Sequence, residues 1–268
     1  MRLHLAGWRG RLAWAAGAFL LLMIGVWTLA RMTPAWYQPL DPKDVGVIDT
    51  AGRAEQLIHF DLRNAVEKVP LGEQTWTISQ DELNSYLAID LAGTFDAGGG
   101  GKRPAVSDPY VVFLPGEVRV SVRTTKLPGG GRQGAIGTLA FSVGIVQGVD
   151  GNPQGLVKLS GAWIGRLRVP TSLVASRISA MTPALIEAVQ QAVELRLGVA
   201  DVRQWEPAAE EVIRDASVGK PFPLHYRVDR KNLVVSVLDV TAGRFTVKLS
   251  PPPRALPAAG GTILPLSQ

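Results

Sequence analysis

From Leu12 to Ala30 the chain runs for 19 residues with Thr28 as its only polar side chain. As a helix that run rises about 28 Å, close to the ~30 Å hydrocarbon core of a bilayer. Arg11 and Arg31 bound it, and Trp8, Trp14, Trp27, Trp36 and Tyr37 stand near its ends, where interfacial aromatics sit. Arg2, Arg9, Arg11 and the amino terminus outweigh Arg31, which orients the N-terminus to the cytoplasm and the main domain outside it. A cleaved secretory signal would carry a shorter apolar stretch and a small-x-small site, of which Thr28-Leu29-Ala30 is a poor version. The expectation is therefore an uncleaved single-pass anchor in a cell membrane, with the bilayer as partner through residues 12–30.

The same segment accounts for the charge. The isoelectric point is near 9.7, which by itself suggests a nucleic-acid binder. Of the 28 Lys and Arg residues, however, four lie in the first forty positions, where no acid occurs. The other 24 face 23 acids, so the rest of the chain is close to neutral and has no broad field for phosphates. Cysteine is absent, which excludes a disulfide framework and a Cys-ligated metal.

Beyond the stub and span (1–31), a Pro-rich stalk is expected over 32–45, an extracytoplasmic α+β domain over 46–250, and a disordered Pro/Ala/Gly-rich tail over 251–268. Helical spacing predicts a helix over Arg53–Val69. Trp76-Thr77-Ile78 reads as a strand entering a helix at a capping box, Ser79 with Glu82. Asn84, on that helix, reads as a side chain that satisfies a nearby backbone group. Period-two alternation then marks strands at Val118–Val122, Leu139–Ile145, Leu156–Trp163, Leu167–Val169, Phe222–Val228, Leu233–Val237 and Phe245–Leu249. Gly98–Gly101 and Pro128–Gly131 read as loops. Thr171 or Ser172 starts a helix, Thr182-Pro183 starts another that Gly198 ends, and a short one covers Pro207–Asp215. The fold expected is α+β: a transmembrane helix, then a curled antiparallel sheet packed around one or two long amphipathic helices.

No catalytic constellation emerges. His4, His59 and His225 belong to unrelated segments with no metal-ligand spacing, and no G-x-S-x-G occurs. Gly129–Gly134 satisfies G-x-G-x-x-G but joins two antiparallel strands, the wrong setting for a dinucleotide. Trp76, Trp163 and Trp205 read as core more readily than as a sugar or lipid platform. The chain is expected to be non-enzymatic, with no catalytic residue, metal or cofactor.

Two stretches carry a family resemblance. They are Trp76–Leu87, with Ile78, Ser79, Leu83 and Asn84, and Gly155–Pro170, with Ile164, Gly165, Leu167 and Pro170. Together they resemble the YpmS-type family of bacterial membrane-anchored proteins, and more weakly the TULIP-like lipid-binding domains of the bacterial envelope. The resemblance implies a curved sheet around a long helix that holds acyl chains, with no catalytic residues. On that basis a lipid groove is expected, lined by Leu83, Tyr86, Leu87, Trp163, Ile164, Leu167, Val169, Leu173 and Ile178. The alternative is a scaffold or interaction protein in envelope assembly.

Overall fold

The computed structural model describes residues 4–96, 106–124, 134–148, 152–174, 215, 218–228 and 231–252. Helix α1 spans His4–Arg31, α2 Val45–Gln56 and α3 Leu62–Lys68, with a π turn at Leu57–Asp61 between the last two. Strand β1 (Gln74–Ser79) leads into α4 (Gln80–Asp96). Then come β2 (Val106–Leu114), β3 (Glu117–Thr124), β4 (Ala135–Gln147), β5 (Pro153–Ile164) and β6 (Leu167–Arg168). The last four are β7 (Phe222–Pro223), β8 (His225–Val228), β9 (Lys231–Thr241) and β10 (Arg244–Ser250).

The strands form two open antiparallel sheets, ordered β1-β10-β9-β8 and β2-β3-β4-β5-β6, with β7 added to β5. This corrects the expected single curled sheet around a long helix. The alternating run from Phe222 to Val228 shows why the pattern misled. Phe222 and Pro223 pair with Gly155 and Gln154 in the six-stranded sheet, whereas His225–Val228 pair with β9 in the other. Alternation fixes which face a residue takes but not which sheet it joins. The helix expected over 183–198, all but Asp215 of the one expected over Pro207–Asp215, the loops at 98–101 and 128–131, Ile178, Trp205 and the tail after 252 lie outside the described residues.

The anchor is also corrected. Among the described residues no helix is long and apolar enough to cross a membrane, a finding that does not bear on β-barrels. The single-pass placement, the cytoplasmic N-terminus and the bilayer as partner fall with it. Phe19 to Ile24 are 50–71% exposed. The last turn of α1 is engaged by protein: the Arg166 N–H donates to the Leu29 carbonyl at 2.9 Å, and Arg166 Nε donates to the Thr33 carbonyl at 3.0 Å.

The chain leaving α1 docks on the outer face of the six-stranded sheet. Pro34 and Tyr37 are buried, and Trp36 meets Trp163 edge-on at 5.7 Å. The Arg119 guanidinium stands 5.1 Å from one indole and 5.4 Å from the other, and pairs with Glu117 at 2.7 Å. Tyr37 Oη donates to the Asp108 carbonyl at 2.8 Å. Burial, with the Asp108 charge adding and Arg123 opposing, pushes the Tyr37 hydroxyl from 10.0 up to about 12. The folded chain then holds that proton more tightly than the unfolded chain. The contribution is whole below pH ~10 and is lost as pH rises towards the folded value. Denaturant unfolding between pH 9 and 11.5 should show a stability loss of ~2 kcal/mol that Tyr37→Phe removes. Equal slopes in the two proteins would refute it.

Among the described residues three small cores hold the rest. Ala65, Val69, Leu233 and Leu249 seat α3 on one end of the four-stranded sheet. Val111, Phe113 and Val240, with Leu83, Leu87, Val118, Val120 and Phe245, join α4 to both sheets. Tyr37, Tyr110 and Ile136 form the third, on the outer face.

Candidate binding shelf on the second helix

The expected groove residues do not share one cavity. Leu83 and Leu87, like Val118 and Val120, pack against the buried Val111, Phe113 and Val240 on the inner face of the six-stranded sheet. Trp163 lies opposite Thr138, which lies opposite Ser121, so it shares the other face with Arg119. Tyr86 sits apart, 3.4 Å from His59. Ile164 and Leu167 pair with each other across the β5–β6 turn, the Val169 N–H donates to the Ala162 carbonyl, and Leu173 is 65% exposed. With a sheet between its two halves, the lipid groove has no continuous wall, and the lipid-binding reading is overturned.

A concavity among the described residues lies along α2 and the π turn. It is an open depression of about 540 Å³ lined by Gly52, Glu55, Gln56, Phe60, Asp61 and Asn64. Asp44 starts this helix by accepting the Gly46 N–H at 2.8 Å, and Ala51 and Ala54 form its buried side. Gly52 faces outward, where a Cβ would meet nothing within 4 Å. Glycine inside a helix costs roughly 0.5–1 kcal/mol relative to alanine, and no packing constraint requires it here. Its missing side chain makes the dent. Phe60, 64% exposed, stands at the far end of it.

Two carboxylates flank the dent. The neighbouring arginines turn away from them: Arg53 donates to Thr50 Oγ1 at 3.2 Å, and Arg63 pairs with Glu67 at 3.2 Å. Among the described residues neither Glu55 nor Asp61 has an ion-pair partner. The shelf thus combines uncompensated negative charge, an exposed phenyl face and bare backbone. Its six residues include no nucleophile beside a base, and among the described residues no group of His, Asp and Glu could hold a metal.

The helix read over 53–69 contains most of this face, yet the shelf was not visible in it. The π turn breaks the 3.6-residue period, so Gly52, Gln56, Phe60 and Asn64 do not read as one stripe. Of the tryptophans, Trp76 is half-buried, donates from Nε1 to the Leu57 carbonyl at 2.9 Å and meets Phe245 edge-on. His225 is exposed on β8. Comparison with known proteins finds no match for the chain among family models, curated proteins or solved structures.

Proposed function

We propose that this chain is a non-catalytic recognition module that takes a cationic side chain of a partner polypeptide on the shelf of α2. The observation that supports it is the pair Glu55 and Asp61, unpaired by any described cation, on either side of Gly52 and Phe60. A lysine or arginine stem would lie over the bare Gly52 backbone and the phenyl ring. Its charged end would meet the carboxylates. Such contacts at a water-exposed surface are worth ~1 kcal/mol each and weaken with salt, so the complex is a weak, reversible one.

A hexapeptide carrying one arginine among leucines and glycines, with its citrulline twin as control, tests this by NMR titration of the full chain. The arginine peptide should shift the amides of residues 52–64. Binding should weaken about tenfold in the Glu55→Gln/Asp61→Asn variant, equivalent to ~1.4 kcal/mol. Equal binding of the citrulline peptide, or an unaffected double variant, sinks the reading.

A further inference from the structure

Over twelve residues an α-helix advances about 120° beyond whole turns, so positions 52 and 64 would face different ways. A π turn uses one more residue for the same rotation, which takes back about 100° of that drift. The turn at Leu57–Asp61 is thus what keeps Gly52, Gln56, Phe60 and Asn64 on one face. It is defined by the Leu62 N–H reaching back to the Leu57 carbonyl. In an α-helix that carbonyl would instead accept the Asp61 N–H.

The Leu57 carbonyl has a second donor from outside the helix. Trp76, on β1 at the edge of the four-stranded sheet, gives it the indole N–H at 2.9 Å. Kinks and wide turns arise where a side chain intrudes on the helical ladder, and this is such a side chain. The ring is fixed by Phe245, edge-on at 6.4 Å, so the donor is held by the sheet and not by the helix it acts on.

We propose that Trp76 is the positioning residue of the shelf: its indole N–H holds the Leu57 carbonyl in the wide register and so assembles the cation-binding face. The inference rests on the shelf reading above. Trp76 touches no partner itself. It acts by selecting which amide, Leu62 or Asp61, completes the turn.

The test removes the N–H and keeps the shape, by placing 3-benzothienylalanine at position 76 of the full chain, with Trp76→Phe as the encoded counterpart. Hydrogen exchange of the Leu62 amide, and the scalar coupling across its bond to the Leu57 carbonyl, report the register. The single-arginine peptide reports the shelf. The expected result is loss of that coupling, exchange of the Leu62 amide at least tenfold faster, and peptide affinity reduced several-fold. The denaturation midpoint should stay near that of the parent, and 5-fluorotryptophan, which retains the N–H, should restore both signals. Persistence of the Leu62–Leu57 bond without the indole N–H overturns the inference, as does a changed register with unchanged affinity. A parent protein that fails to bind the peptide instead overturns the shelf reading on which it rests.

Discussion

Replacing Asn84 with alanine should cost about 2–4 kcal/mol, a large part of a domain's whole stability. Asn84 is 2% exposed on α4. Its Oδ1 accepts the Val111 N–H at 2.6 Å, and its Nδ2 donates to the Val111 carbonyl at 2.8 Å. One side chain thus does for β2 what a neighbouring strand would do. Four residues earlier, Gln80 Oε1 accepts the Phe113 N–H at 3.0 Å. The spacing explains the match: four helical residues rise about 6 Å, and two strand residues about 6.8 Å. A helix laid along a sheet edge can therefore present i and i+4 amides to alternate backbone groups. One more step of the same spacing reaches Ala88 on the helix and Pro109 on the strand, which has no N–H to satisfy. Removing the Asn84 amide leaves a donor and an acceptor buried without partners. Asn84→Leu should be at least as damaging, because it also excludes water. Asn84→Asp should fall short of the parent too, since a carboxylate can accept from Val111 but not donate to it. Chemical denaturation measures all three, with the Val111 amide exchange rate as the local probe. A loss under 0.5 kcal/mol for the alanine variant would mean that the edge of β2 is satisfied some other way.

The sequence announced this helix but not its purpose. Ser79 and Glu82 form the expected capping box, with the Ser79 N–H on Glu82 Oε2 at 2.8 Å and the Glu82 N–H on Ser79 Oγ at 3.2 Å. Asn84 was read as a side chain satisfying a backbone group, and it does so, across 27 residues of sequence and not locally. The strands were legible from their period, but the face of β3 and β4 expected to be wet is covered, with Ser121 and Thr138 0% and 1% exposed. Strand β2 was not legible, because Ser107, Asp108 and Pro109 interrupt it where its register to β3 shifts. Partition between two sheets was illegible for a different reason. Pairing is decided by contacts such as the Gly116 N–H to Val240 carbonyl and the Gly243 N–H to Phe113 carbonyl, which stitch turns of one sheet to strands of the other. No local pattern encodes those. The shelf stayed hidden because its face exists only in the wide register.

Gly165→Ala should detach the segment that follows α1, with a stability loss of about 2–4 kcal/mol. Gly165 sits in the β5–β6 turn at φ +57°, where an L side chain costs about 1–2 kcal/mol. A Cβ there would also fall 2.4 Å from the Ala30 carbonyl oxygen and 2.6 Å from that of Leu29. Neither is the mobile end of a side chain, so the backbone itself must yield. What yields is the joint: the Arg166 N–H leaves the Leu29 carbonyl, and Arg166 Nε leaves that of Thr33. Trp36 then loses the pressure that holds it against Trp163 and Arg119. Its Nε1 is buried without an acceptor, an arrangement the surrounding packing has to maintain at a cost of ~1–3 kcal/mol. Release to water satisfies that donor, so once the turn is forced open the joint has little reason to re-form. Trypsin should then cut at Arg31 readily in Gly165→Ala and slowly in the parent, and tryptophan emission should move to longer wavelength. The Glu73–Lys248 pair, far off in the four-stranded sheet, provides the control: it holds the Glu73 carboxyl below its usual range, and that should be unchanged. If Gly165→Ala resists trypsin as the parent does, the turn can accommodate a methyl group and the close approach of Ala30 is not what fixes α1.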